Sequence, residues 1–308
     1  MSTQWTAADI PDQSGRVVIV TGANSGLGLV SARELASKGA RVVMAVRDEA
    51  KGRAAAEAIG ASAPGADLEV RRLDLADLDS VRAFADRILA DGLDPDVLIN
   101  NAGVMGPPRT LSAQGHELQF AANHLGHFAL TGLLLEALEG GREPRVVTVS
   151  SNYHHRGRIH FDDLTGEHGY GPLKYYAQSK FANIVFGLEL DRRLRRAESP
   201  VRSLMAHPGV ASTSLTKSFP LLLKPIAKFV VSTRAQSADL GALPQLHAAT
   251  APEARSGEYF GPDGKQEING YPMLVPTKSE ANDPELAARL WSVSEELTGV
   301  SYHLPAAA

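Results

Sequence analysis

Short apolar runs rich in β-branched residues recur along the chain at 17–20, 41–46, 68–73, 97–100, 146–150 and 201–206, with a shorter one at 258–260. Their length and composition predict strands buried on both faces. Between them lie segments with helical spacing of apolar positions, at 26–37, 48–59, 78–89, within 111–138 and at 173–196. A last helical stretch at 284–297 follows Asp283, a residue type suited to capping a helix N-terminus. Regular alternation of strand and helix predicts an α/β protein, a doubly wound parallel seven-stranded sheet with helices on both faces. In such sheets the crossovers are right-handed and ligands sit at the carboxyl ends of the strands. No linker or fixed-period repeat interrupts the pattern, so residues 1–308 read as a single domain with a C-terminal tail from 281.

Composition narrows the classes without naming one. With 308 residues and 44% hydrophobic content, the chain can bury a full core. A net charge of −4 offers no general attraction to nucleic acid or anionic membrane. The absence of cysteine excludes disulfides, zinc thiolates and thiol nucleophiles. Residues 1–13 are polar and lack the apolar core of a secretory signal. No apolar run reaches the roughly 18 residues of a membrane span. The expectation is a cytoplasmic protein, and richness in Ala, Arg and Gly fits a high-GC bacterial source.

The candidate chemistry lies at the predicted strand ends. After the first strand, Gly22, Asn24, Ser25, Gly26, Leu27 and Gly28 form a glycine turn that opens a helix. Strand, tight turn and helix N-terminus together make a cradle for a dinucleotide pyrophosphate. The second strand ends at Val46, followed by Arg47, where an acid for a ribose 2′-hydroxyl is expected about 20 residues after the glycines. An arginine there suits a 2′-phosphate through charge-assisted hydrogen bonds, which favours NADP(H), with NAD(H) left open. Asp48 reads as the cap of the next helix, although a shift of one residue would turn it to the ribose. Asp74 and Leu75 close the third strand, and Asn101, Ala102 and Gly103 follow the fourth. Small residues there let the backbone approach an adenosine closely. Tyr176 and Lys180, four apart on a predicted helix, share one face, and a cation beside a phenol lowers its pKa from about 10.

Taken in order, Thr21-Gly22 through Gly28, Asp74, Asn100 to Gly103, Asn123, Ser151, Tyr176 with Lys180, and Pro208-Gly209 resemble the short-chain dehydrogenase/reductase family over residues 15–215. The resemblance implies a Rossmann sheet and an oxidoreductase that transfers hydride between nicotinamide and a carbonyl or alcohol. It implies that Tyr176 is the proton donor or acceptor and that Lys180 lowers its pKa and binds the nicotinamide ribose. Ser151 would hydrogen-bond the substrate oxygen, and Asn123 would position a relay water. Further cofactor contacts are implied at Pro208, Gly209, Val210 and Thr213. The family pattern also selects Ser151 over Ser150. The segments 123–128 and 206–210, with Arg47-Asp48, are similar to the retinol dehydrogenase and protochlorophyllide reductase-like branch.

Ser151 and Tyr176 are 25 positions apart, a longer spacing than common members of that family show, though the retinol-like branch shares it. The extra segment holds His154, His155, His160, Asp162, Asp163 and His168, and reads as a solvated rim of the pocket rather than a metal site. Residues 213–231 fall where the family has its substrate flap, and their apolar character suggests a lipophilic carbonyl or alcohol substrate. The alternative function is a non-catalytic NADP-binding sensor or scaffold. A homo-oligomer stays open; no nucleic-acid partner and no metal are expected.

Overall fold

The structure, a computed structural model, describes residues 4–210 and 236–304. Strands β1 (Val17–Thr21), β2 (Arg41–Val46), β3 (Asp67–Arg72), β4 (Val97–Asn100), β5 (Arg145–Val149), β6 (Arg202–Ala206), β7 (Tyr259–Pro262) and β8 (Pro272–Leu274) form one sheet in the order β3-β2-β1-β4-β5-β6-β7-β8. All neighbours are parallel except β7 and β8. Eight strands stand where seven were expected. The eighth is a three-residue edge strand, with Met273 and Leu274 exposed, too short to show a period.

Alternation within each strand divides the core into two layers. Val18 and Val20 of β1 pack with α1 (Gly26–Ser37), while Ile19 faces the layer that contains Phe84, Leu134 and Phe186. That second layer is built from α3 (Leu78–Ala90), α4 (Gly126–Glu139) and α5 (Pro172–Arg196). Helix α2 (Glu49–Ser62) crosses from β2 to β3, and Asp48 caps it by accepting from Lys51 N–H at 3.1 Å. Helix α6 (Ala238–Thr250) joins α1 on the first layer. The sequence pattern missed it because residues 241–250 are buried all round and Pro244 lies inside it, so no polar stripe marks its outer face.

Helix α7 (Pro284–Thr298) is capped by Asp283 as expected. It packs Trp291 edge-on to Phe128 at 5.2 Å, and Arg193 lies over the Trp291 ring at 4.1 Å. The helical region expected within 111–138 begins only at Leu118, as a short turn (Leu118–Phe120) and a π-helical turn (Ala121–Leu125) before α4. The extra residue in a π turn shifts the side chains that follow, and such turns gather at functional positions. Among the described residues no helix is long and apolar enough to cross a membrane. The proposed flap, 213–231, lies outside the described residues, as does Thr213.

Candidate active site

Register brings the strand ends into line. Thr21 pairs with Ala45, Val20 with Ile99, Asn100 with Thr148 and Val149 with Ala206. At the centre, the buried Thr21 hydroxyl accepts from the amides of Asn101 and Ala102, both at 2.9 Å. Asn101 Nδ2 donates to Thr21 O at 2.7 Å, so its side chain ties β4 to β1. The glycine turn is equally tight. Gly22 has φ +69°, and a Cβ on Gly28 would stand 2.5 Å from Gly22 O. Only a glycine lets α1 begin this close to the β1 turn, with Asn24, Ser25, Gly26 and Leu27 between them.

The second strand delivers Arg47 exposed, beside an Asp48 whose carboxylate is committed to the α2 cap and to Lys51. Asp74 is folded into its own turn, with Oδ1 accepting from Ala76 N–H at 3.1 Å, and Leu75 is buried in the core. Gly103 lies beside the catalytic candidates: a Cβ there would stand 3.2 Å from Asn123 Oδ1 and 3.5 Å from Lys180 Nζ.

Asn123 sits in the π turn, and its side chain is already committed. Oδ1 accepts from Val104 N–H at 2.8 Å, and Nδ2 donates to Val104 O and Ser179 Oγ, each at 2.9 Å. It therefore clamps the segment after β4 against α5. Its backbone oxygen accepts from His127 Nδ1 at 3.1 Å, and His127 Nε2 meets the Thr21 hydroxyl at 2.9 Å. Burial holds the His127 pKa down at about 3, so the ring is neutral. The sequence reading had missed His127. Its signal was a histidine four residues after Asn123, on the same helical face.

The residues expected to transfer a proton meet at the end of β5. Tyr176 and Lys180 lie on α5 and both are buried. Lys180 Nζ donates to Val149 O at 2.9 Å and lies 6.0 Å from the centre of the Tyr176 ring. An ammonium has three donors, so two remain beyond the Val149 contact. Ser150 and Ser151 part as expected for adjacent strand residues. Ser150 Oγ donates to Lys180 O at 2.8 Å inside the core, whereas the Ser151 hydroxyl lies near the Tyr176 phenol and favours its ionised form. Tyr175 is separate from this group, and its hydroxyl donates to Asp163 O at 2.7 Å.

The electrostatics differ from the expected depressed phenol. Burial pushes Tyr176 up to about 12, and the Ser151 hydroxyl only partly offsets it. Burial also lowers Lys180 to about 8. In this site desolvation outweighs the attraction between an ammonium and a phenolate, because Lys180 is held on Val149 rather than on the Tyr176 oxygen.

The segment between Ser151 and Tyr176 is not wholly a solvated rim. His154 is buried, with Nδ1 on Ser151 O at 2.8 Å, while His155 and His168 are exposed. Tyr153 stands edge-on to Tyr176 at 5.7 Å. Among the described residues no group of three His, Cys, Asp or Glu side chains could hold a metal ion.

The Lys180 shift has a testable consequence. Its folded pKa of about 8 lies below the ordinary value of about 10.4, so between these pH values the unfolded chain binds more protons and stability rises with pH. Below pH 8 both states are protonated and the burial cost is complete. Lys180→Met should therefore be more stable than the wild type at pH 7. That advantage should shrink from pH 8 to 10, with a slope of up to about 1.4 kcal/mol per pH unit in denaturant unfolding. A difference that stays constant from pH 7 to 10 would show that Lys180 is not held in the depressed state.

Comparison with known proteins agrees with this geometry. The short chain dehydrogenase family matches residues 16–221. Retinol dehydrogenase 12 of Mus musculus is 43% identical over 290 residues, covering 94% of this chain and 88% of that protein. Polyprenol dehydrogenase of Mus musculus is 41% identical over 296 residues, covering 94% and 86%. The crystal structure of an uncharacterised protein from Mycobacterium paratuberculosis superposes with a TM-score of 0.81 at 45% identity, covering 98% of this chain and all of that one. A short chain dehydrogenase from Shigella flexneri, complexed with NADP, shares the fold at a TM-score of 0.62 and 23% identity, covering 80% of this chain and 97% of that one. The chain belongs to the short chain dehydrogenase family, in its retinol dehydrogenase-like part, and is an oxidoreductase acting on CH–OH and C=O groups.

Proposed function

We propose that the protein is an NADP(H)-dependent enzyme interconverting a carbonyl and an alcohol on a lipophilic small molecule. The observation that carries this reading is the Ser151–Tyr176 hydroxyl pair at the end of β5, with Lys180 anchored on Val149 two positions earlier. Two neighbouring hydroxyl groups can converge on one substrate oxygen. The Ser151 hydroxyl then stabilises charge on that oxygen as it becomes an alkoxide, and the Tyr176 hydroxyl supplies its proton. Burial keeps the proton on Tyr176 at neutral pH, which is the state that carbonyl reduction requires. Lys180 supplies positive charge next to the phenol, and Asn123 fixes the segment 103–104 against α5.

The residues fit a dinucleotide. The Gly22–Gly28 turn is too close for any Cβ at Gly28, leaving bare backbone at the start of α1. Asp48 is spent on its helix, so Arg47 is the charged group left at the end of β2, which supports a 2′-phosphate over a free ribose hydroxyl. A bound nicotinamide would supply or accept the hydride. The lipophilic substrate is supported by relatives named for retinol and polyprenol, and by Tyr153 offering an aromatic wall to Tyr176.

Replacing Tyr176 with Phe removes only the hydroxyl. NADPH binding should survive while turnover of a carbonyl panel, read at the nicotinamide absorbance, falls by roughly 10²–10⁴-fold. Tyr175→Phe should keep its turnover and lose thermal stability, because that hydroxyl serves Asp163. Equal losses of turnover in the two variants would refute the assignment. For the cofactor, Arg47→Ala should weaken NADPH by at least tenfold, as expected for a charge-assisted contact of about 1.5–3 kcal/mol. NADH should bind as before. A wild type that prefers NADH, or an unchanged ratio, would refute the NADP assignment.

A further inference from the structure

The turn from 264 to 268 takes no part in the proton chemistry described above, yet its backbone is under constraint. Gln266 and Glu267 have consecutive left-handed φ values of 56° and 54°. Residues with side chains adopt that conformation together only where contacts over-determine it, and such positions gather at functional sites.

The contacts come from both halves of the active site. Asn152, the neighbour of Ser151, donates through Nδ2 to Gln266 O at 3.3 Å and Glu267 O at 3.2 Å. From the other side, Val210 N–H donates to Ile268 O at 2.8 Å. Gly209 comes so close that a Cβ there would lie 2.3 Å from Ile268 O. One turn thus holds the serine loop and the segment Pro208–Gly209–Val210, a proposed cofactor contact.

His207 sits at the point where these segments meet. It is buried at the end of β6, and its Nδ1 accepts from Gly209 N–H at 3.2 Å. That leaves Nε2 as the protonated nitrogen of a neutral ring. Glu267 Oε2 lies 2.9 Å from Nε2. The Tyr259 ring stands 5.2 Å from His207 and 5.4 Å from His154, and His154 Nδ1 in turn reaches Ser151 O. The Gly209 N–H on Nδ1 places the proton on Nε2, which faces the carboxylate at ion-pair distance.

We propose that His207 is a positioning residue. With Nδ1 accepting from Gly209 N–H and Nε2 facing Glu267, it fixes the Gly209 amide and so sets the cofactor segment 208–210 relative to Ser151. The proposal rests on the nicotinamide-enzyme reading for its functional consequence. Its geometry concerns only this chain's own residues.

Two substitutions separate a hydrogen-bonding role from a packing role. The Oδ1 of His207→Asn can accept near the position of Nδ1, whereas His207→Gln places its amide nearer Nε2 and leaves Gly209 N–H without a partner. Fluorescence titration should show NADPH affinity within about threefold of the wild type for His207→Asn and at least tenfold weaker for His207→Gln. Glu267→Gln, which keeps the shape and removes the charge, should fall between them. Equal affinities for the Asn and Gln variants would overturn the proposal, as would full affinity in His207→Phe. Should the variants fail to fold, long-range ¹H–¹⁵N spectra of histidine-labelled wild type decide the matter: a protonated Nε2 and bare Nδ1 on His207 support it, and the opposite tautomer overturns it. A wild type that binds neither NADPH nor NADH would sink the cofactor reading, while the tautomer measurement would still test the joint.

Discussion

The site depends first on one buried hydroxyl. Thr21 Oγ1 receives the amides of Asn101 and Ala102 and meets His127 Nε2. Both strand ends that would flank a cofactor, β1 and β4, are thereby held to each other and to the helix carrying Asn123. Backbone amides partly withdrawn from water need acceptors, and a threonine at the end of β1 supplies one for two of them. His127 passes the same constraint to Asn123 O, and Asn123 passes it through Ser179 to the helix of Tyr176. The end of β1 and the helix of Tyr176 are thus joined by a continuous run of hydrogen bonds.

A second constraint is the dryness of the Tyr176 surroundings. Burial raises the phenol to about 12 and lowers the ammonium to about 8, so both groups are drawn toward their neutral forms. Opposite charges four residues apart on a helix do attract, but the desolvation cost is larger here because Lys180 Nζ is turned to the Val149 carbonyl. A phenol kept in this state holds its proton at neutral pH. The two Lys180 donors not used by Val149 are the ones through which the balance can shift toward phenolate when a polar ligand arrives.

The central strands were legible because they are buried on both faces and read as plain apolar runs; the bounds of β2 and β4 and of α1 agree with the pattern to the residue. The same logic hid α6, which is buried all round and carries Pro244, and β8, which is three residues long at an edge. Ser151, Tyr176 and Lys180 were placed by spacing and resemblance, and the structure does bring them together with Asn123. The raised phenol was not legible, since helical spacing gives proximity but says nothing of desolvation. Nor could it reveal the partners of His127, His154 and His207. Each acquires meaning only from the carbonyl, hydroxyl or carboxylate that the fold sets beside it.

Hydride transfer is the central claim, and isotope transfer tests it most directly. The protein would be incubated with a panel of lipophilic aldehydes and ketones and with NADPH carrying deuterium at the transferable position of the nicotinamide ring. Mass spectrometry of the products would then locate the label. The account predicts alcohols bearing one deuterium on the carbinol carbon, formed by the wild type and strongly reduced in Tyr176→Phe. Unlabelled alcohol, or cofactor oxidised with no deuterium on the organic product, would contradict it.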